Sequence, residues 1–489
     1  VSIKALDKRL ILILALQLAA ALVFVYYRTV DADEGFYLAA AQRVADGMMP
    51  YVDFFFPQAP LLPLTFFGLS NWGLNSLLLL RVLAALAGVV STVVMYRLVR
   101  RENGNDATAL VAAFLMAFCG LFLTWHSTFK PYAFVDLALL ISFLYLLKSG
   151  NDERLDGKAI LLSWLMLGVA INFRSIFLLL LPIYIYALVL SARRAKVGNA
   201  QALKYALLGI LIPTLPAIYL FVSAPNEFLF NNLGFHLQRE PIEPFSALLL
   251  HKATVFGKFL ALPQTILLLG AALASYLLIK YRHAARMMTQ KPAAMFAAVI
   301  TIVYLIPTPV HMQYFQQATP YLILLALPCA KFVLQNDRLK PMLRSAAVLY
   351  LVGIVPFAYL FIVAPREQDH RFEWPQLESV VEAIKNNSTT SDSLLSEWAG
   401  YSALSQRPQL TGSEHVGFHF PLELTETEYN EHHLLTNSAI VSALSAQRPH
   451  LVIIDYKVYP EWEGALAAHY RLIDQHDQTF IYKRANEAL

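Results

Sequence analysis

Apolar runs long enough to cross a bilayer recur near 10–28, 77–97, 107–124, 131–148, 159–172, 175–192, 204–223, 263–281, 293–308, 320–334 and 344–364. Hydrocarbon offers no partner for backbone N–H and C=O groups, so a series of this kind folds as a bundle of helices. The expected architecture is an α-helical polytopic membrane protein with about eleven spans. Composition agrees: of 489 residues, 57% are hydrophobic and 15% charged, whereas soluble domains are about 25% charged.

The net charge of +4 does not mark a nucleic-acid binder, because Lys and Arg flank the apolar runs and form no basic face. They cluster at every second connection: Lys4, Lys8, Arg9; Arg97, Arg100, Arg101; Lys148, Arg154, Lys158; Arg193, Arg194, Lys196; Lys280, Arg282, Arg286; and Lys331, Arg338, Lys340, Arg344. Basic residues favour the cytoplasmic side, so the N-terminus is expected inside. An odd number of spans then places the C-terminal part outside. The segment 10–28 reads as an uncleaved signal anchor. Cys119 and Cys329 both lie in apolar runs and offer neither a disulfide framework nor a thiolate metal site.

Two domains follow: a transmembrane unit over 1–364, whose first outer loop is 29–76, and a small extracytoplasmic α/β domain over 365–489. In the loop, Asp33 is expected to cap a helix running to about Asp46, with Gly47 ending it and Pro50 beyond. Tyr51, Phe54, Phe55, Phe56, Phe66, Phe67 and Trp72, interleaved with Pro57, Pro60 and Pro63, predict short helices in the headgroup layer. In the tail, alternation at Ser393–Ser396, Leu451–Asp455 and Phe480–Tyr482 predicts strands, and the patterns at 375–386 and 437–447 predict helices.

Carboxylates beside a bilayer are costly, which singles out Asp31-Ala32-Asp33-Glu34-Gly35-Phe36-Tyr37 directly after the first span. As ordinary first-turn residues they would only complement the helix dipole. The run from Asp33 to Tyr37, with Gly47, Pro50-Tyr51-Val52-Asp53-Phe54-Phe55 and Pro60-Leu61, resembles the start of the GT-C fold glycosyltransferases. The nearest branch looks like bacterial relatives of the protein O-mannosyltransferases and of lipid A aminoarabinose transferase. Arg81 and the segment His311-Met312-Gln313-Tyr314-Phe315 ahead of Pro320 extend the likeness. The aminoarabinose enzymes carry Glu-Lys-Pro in this loop, where this chain has Gln58-Ala59-Pro60.

The resemblance implies transfer of a sugar from a polyprenyl-phosphate donor to a hydroxyl of a lipid-linked or cell-envelope acceptor, at the outer membrane face. It places the catalytic acidic pair on Asp33 and Glu34, with Asp31 a bystander. A single inverting displacement needs a carboxylate to take the acceptor proton and cations to hold the leaving phosphate. Asp33 is the expected base, and Glu34 orients the acceptor or assists a divalent metal, the one candidate cofactor. The expected substrate-binding residues are Asp53, Lys130, Arg174, His236, Arg239, His311, Gln313 and Tyr314. Arg174 leads among the cations, and Arg81 is expected to pair with Asp53 or Asp46. The tail histidines His415, His419, His432 and His433 read as surface residues. Two other classes compete: a secondary transporter, resting on Asp136 in the fourth span, and a lipid-linked glycan polymerase or ligase, resting on the loop 224–262.

Overall fold

The computed structural model describes residues 7–103, 106–149, 154–238, 244–281, 287–364, 372–414, 422, 424–455 and 458–485. Among them, eight helices are long and apolar enough to cross a membrane, against the eleven expected. The other three expected spans form shorter apolar helices: Asp106–Ala117, Gly157–Phe173 and Gln290–Tyr304. The first of these breaks at Phe118 and Cys119 before the short helix Gly120–Trp125. Hydropathy registers an apolar run but not where its backbone turns, which is why the sequence overcounts full-length spans.

Helix α1 (Lys8–Tyr27) starts at Asp7, whose side chain accepts the Arg9 amide. Helix α2 (Ala32–Ala45) follows, capped by Asp31 and not by Asp33 as expected. The Asp31 side chain accepts the Asp33 amide, while Glu34 Oε2 accepts the Asp31 amide at 2.9 Å, a reciprocal capping box. The end is as predicted: Asp46 closes the helix and Gly47 turns the chain at φ 90°. Short helix α3 (Leu61–Phe66) and a 3-10 turn at Phe67–Leu69 lead to α4 (Leu74–Asn103).

The loop aromatics only partly match the surface layer expected of them. Phe67 and Trp72 are exposed, but Tyr51, Phe54, Phe55 and Phe56 are buried. Phe36 stacks on Phe56 at 5.3 Å, and Tyr51 meets Phe228 edge-on at 5.0 Å. The loop is thus folded into the core, where aromatic area and edge contacts stabilise it.

The C-terminal part is a four-stranded sheet: β1 (Leu394–Ser396), β2 (Leu451–Asp455), β3 (Tyr470–His476) and β4 (Thr479–Arg484). Its order is β1-β2-β4-β3, with β1 parallel to β2 and the other pairs antiparallel. The helices Trp374–Asn386 and Asn437–Ser445 match the predicted ones. Strand β3 was not expected, because Tyr470-Arg471-Leu472-Ile473-Asp474-Gln475-His476 is largely half-exposed and shows no clean alternation. The sheet sits at the α2 end of the bundle.

Candidate active site

The position of α2 is fixed by Glu34, which is fully buried and carries its charge into a closed set of partners. Arg81 of α4 meets it through Nε at 2.8 Å and Nη2 at 2.6 Å, a two-pronged pair. The Phe129 amide donates to Oε1 at 2.7 Å, and the Asp31 amide takes Oε2. Arg81 also donates to the carbonyls of Val25, Arg28 and Thr29, so one guanidinium ties α1, α2 and α4. The partner expected for Arg81, Asp53 or Asp46, is therefore replaced by Glu34. An unpaired arginine there would be very costly, and this pairing removes that cost.

One turn away the chemistry differs. Lys130 Nζ lies 2.8 Å from Asp31 Oδ1 and 2.7 Å from Asp33 Oδ2. The lysine is buried, whereas the Asp33 side chain is 43% exposed, open enough to meet a substrate. Asp31 is tied into the same cluster: burial would raise its pKa, but the Lys130 and Arg28 charges overcome this and hold it down to about 2. Burial would lower the Lys130 pKa, but Asp31 and Asp33 lift it well above the ordinary lysine value. The ammonium stays charged beside two carboxylates.

These groups edge a cavity of about 500 Å³. Asp31, Asp33, Phe36 and Tyr37 come from the start of α2, Pro57 and Gln58 from the loop, Lys130 from the turn before the helix Tyr132–Ser149 and Tyr132 from its first position. Phe235 and His236 close one side, and Pro309, His311, Gln313 and Tyr314 another. Five stretches of chain thus face a common space. His236 Nε2 is 3.0 Å from the Pro57 carbonyl. Burial pushes the Tyr37 phenol up, which keeps it a neutral hydrogen-bonding group.

Of the expected site residues, the structure brings Asp33, Lys130, His236, His311, Gln313 and Tyr314 to this cavity. Glu34 lies behind it. Asp53 is exposed, accepts the Met49 amide at 2.7 Å and does not line the space. Arg174 stands behind the tyrosine wall: its guanidinium lies 5.0 Å from the Tyr132 ring, 5.5 Å from Tyr304 and 5.1 Å from Tyr314. Such stacking desolvates the cation and braces the rings. Arg239, His415 and His419 fall outside the described residues. Asp136 is closed off by His126, 2.7 Å away, both side chains nearly fully buried.

Asp31, Gln58, Tyr37 and Tyr132 were missed as site residues. Asp31 carried a signal, since an N-cap Asp followed three residues later by Glu is a capping-box pattern. Among the described residues no three His, Cys, Asp or Glu side chains group as metal ligands. Lys130, already between the two carboxylates, is the cation this chain itself supplies there.

The fold has close counterparts. Across 98% of both chains it superposes on ArnT from Cupriavidus metallidurans bound to undecaprenyl phosphate, at TM-score 0.68 with 14% identity. The apo form of ArnT gives TM-score 0.68 and 14% identity over 96% of this chain and 97% of that one. The GT-C-type fold expected from the loop is the fold found. AglB, the archaeal oligosaccharyltransferase from Archaeoglobus fulgidus, solved with an inhibitory peptide and a dolichol-phosphate, matches at TM-score 0.52 with 12% identity, over 98% of this chain and 74% of AglB. By sequence, residues 57–220 match the family described as dolichyl-phosphate-mannose-protein mannosyltransferase, about a third of the chain. That stretch begins after Asp33 and Glu34. No curated protein matches the chain.

Proposed function

We propose that this protein is a membrane glycosyltransferase that moves a sugar from a polyprenyl-phosphate donor to a hydroxyl of a lipid-linked or cell-envelope acceptor. The observation that carries the reading is the division of labour between neighbours: Glu34 is sealed by Arg81, while Asp33 opens onto the cavity with Lys130 at its side. The likeness to ArnT, a protein solved with undecaprenyl phosphate, supports the lipid-phosphate donor. The basic clusters, which end the helices Tyr132–Ser149 and Leu181–Arg194 away from the cavity, support an outer-face site.

In the proposed step the acceptor oxygen attacks the anomeric carbon as the bond from that carbon to the phosphate oxygen breaks. The electron pair of that bond leaves with the polyprenyl phosphate, and the acceptor proton passes to Asp33. Lys130 holds one Asp33 oxygen, Oδ2, at 2.7 Å. The groups that reach the leaving phosphate are Lys130, His236, His311 and Gln313, with Tyr314 and Tyr132 as hydroxyl donors. Glu34 and Arg174, expected to touch substrate, act instead by positioning. The direct displacement inverts the anomeric configuration.

The test is transfer from a labelled polyprenyl-phosphate sugar by the full chain in lipid. Asp33→Asn keeps the size and loses the base, so turnover is expected to fall about 10²- to 10⁴-fold. Turnover near that of the unmodified protein overturns the assignment. The transporter reading rests on Asp136, which is buried against His126.

A further inference from the structure

The C-terminal domain touches both walls of the cavity from a single sheet. On the α2 wall, Trp398 Nε1 donates to the Ala32 carbonyl at 2.8 Å, one residue before Asp33. Gly35 lets the indole in: a Cβ there would lie 2.3 Å from the Trp398 ring and 2.7 Å from the Gly400 Cα. Phe372 packs edge-on against Trp398 at 5.1 Å, and its carbonyl accepts the Val30 amide at 2.8 Å. The neighbouring Glu397 amide donates to Ile453 of β2 at 3.0 Å, which anchors this arm to the sheet.

Behind the wall formed by Phe235 and His236, His432 lies flat on Phe230, ring centroids 3.7 Å apart and planes 2° from parallel. The sequence suggested a surface residue, and the structure leaves it half-buried. Phe230, Phe235, Phe55 and Leu434 form a buried cluster next to His236 in the cavity. This arm hangs from the same sheet, through Leu435 N to the Gly412 carbonyl at 3.1 Å and Leu410 N to the Leu394 carbonyl of β1 at 2.7 Å.

We propose that the C-terminal domain is a clamp that sets the separation of the two cavity walls, with Trp398 and His432 as its positioning residues for sugar transfer. The proposal rests on the transferase reading for its functional consequence and on the two contacts for its geometry. A short helix of 14 residues such as α2 gains little order from its own backbone, so its placement depends on tertiary contacts. Glu34 and Arg81 hold its inner side, and Trp398 and Phe372 hold the side facing the domain.

The experiment uses the full chain in lipid with Trp398→Phe, which keeps a ring beside Gly35 and loses the N–H donor, and with His432→Ala. Three quantities are read: amide exchange over 32–38 and 228–236, affinity for undecaprenyl phosphate, and transfer rate. Trp398→Phe is expected to speed exchange over 32–38 about tenfold, the effect of one lost hydrogen bond, and to weaken undecaprenyl phosphate binding several-fold at unchanged thermal midpoint. His432→Ala does the same over 228–236. The double variant loses less than the product of the two, because a clamp released at one arm no longer sets the gap. Unchanged exchange in both single variants overturns the clamp. Faster exchange with unchanged binding and transfer also overturns it, leaving a contact that only docks the domain. Failure of the transferase reading shows separately, as full activity of Asp33→Asn, while exchange still decides the clamp.

Discussion

Two cavities of nearly equal size open in this protein, and they differ in almost everything else. The outer one, about 500 Å³, has two carboxylates, a lysine and two histidines on its walls. The other, about 480 Å³, lies between the helices Asp106–Ala117, Pro263–Tyr281, Thr319–Leu334 and Lys340–Val352 and is apolar apart from Arg344. Volume therefore says little about where chemistry happens. What separates them is cost: carboxylates gathered beside a membrane are unfavourable unless matched, and the outer cavity supplies the match in Lys130, Arg28 and Arg81. The apolar groove needs no such compensation, because hydrocarbon satisfies it.

The loss of turnover proposed for Asp33→Asn is the largest effect expected from this contrast. Next comes the support behind the outer cavity. Arg81→Met leaves Glu34 buried without its cation, a loss expected to cost about 3–5 kcal/mol of stability. A drop in thermal midpoint and in the yield of folded protein would show it. The double variant Arg81→Met, Glu34→Met removes both charges and should recover much of that loss; no recovery would mean that the Glu34 contacts to the Phe129 and Asp31 amides matter more than the ion pair.

The expectations from sequence succeeded where the signal was local and failed where it crossed the chain. Gly47 and Pro50 end α2 through their own backbone preferences, so that boundary was readable. The strands at 394–396, 451–455 and 479–484 were readable, over 393–396, 451–455 and 480–482, from alternation in a polar setting. The pairing of Glu34 with Arg81 joins residues 47 apart, and that of Asp31 with Lys130 residues 99 apart. No periodicity encodes either, so the sequence could set Asp33 as base and Glu34 as its helper without showing that one is open and the other sealed. For Arg174 the sequence offered a cation in a short turn near the membrane, but not the Tyr132, Tyr304 and Tyr314 rings that surround its guanidinium.

A smaller effect sharpens the electrostatic half of the comparison. The Asp31 pKa, held to about 2 in the folded protein, is about 3.9 when the chain is unfolded. A depressed carboxylate pKa contributes stability that is present above the unfolded value and is lost as pH falls through the folded one. Lys130→Met removes the larger of the two attractive charges and leaves Arg28. The variant should therefore be the less stable protein above about pH 5 and lose less on acidification, with the gap to the unmodified protein closing as pH falls through about 2. Thermal midpoints measured from pH 5 downward check this. Superimposed curves would mean that Arg28 alone holds Asp31 ionised.

The smallest effect belongs to the apolar groove, and it is the one that can break the comparison. Ala330 lines that groove and is only partly buried, so Ala330→Phe projects a ring into space otherwise open to lipid. A substitution at such a position changes stability by about 0.5 kcal/mol or less, and turnover is expected to stay within about twofold. The helices that form the groove also carry Gln264, which donates to the Phe118 and Tyr350 carbonyls and accepts the Gly120 amide deep in the bundle. These bonds fix the break before Gly120–Trp125, and that helix leads directly into Lys130. A large fall in turnover on filling the groove, with the thermal midpoint unchanged, would mean that its packing is transmitted along this path to the Asp31, Asp33 and Lys130 cluster. The two cavities would then be parts of one working unit, and the polar walls alone would not define the site.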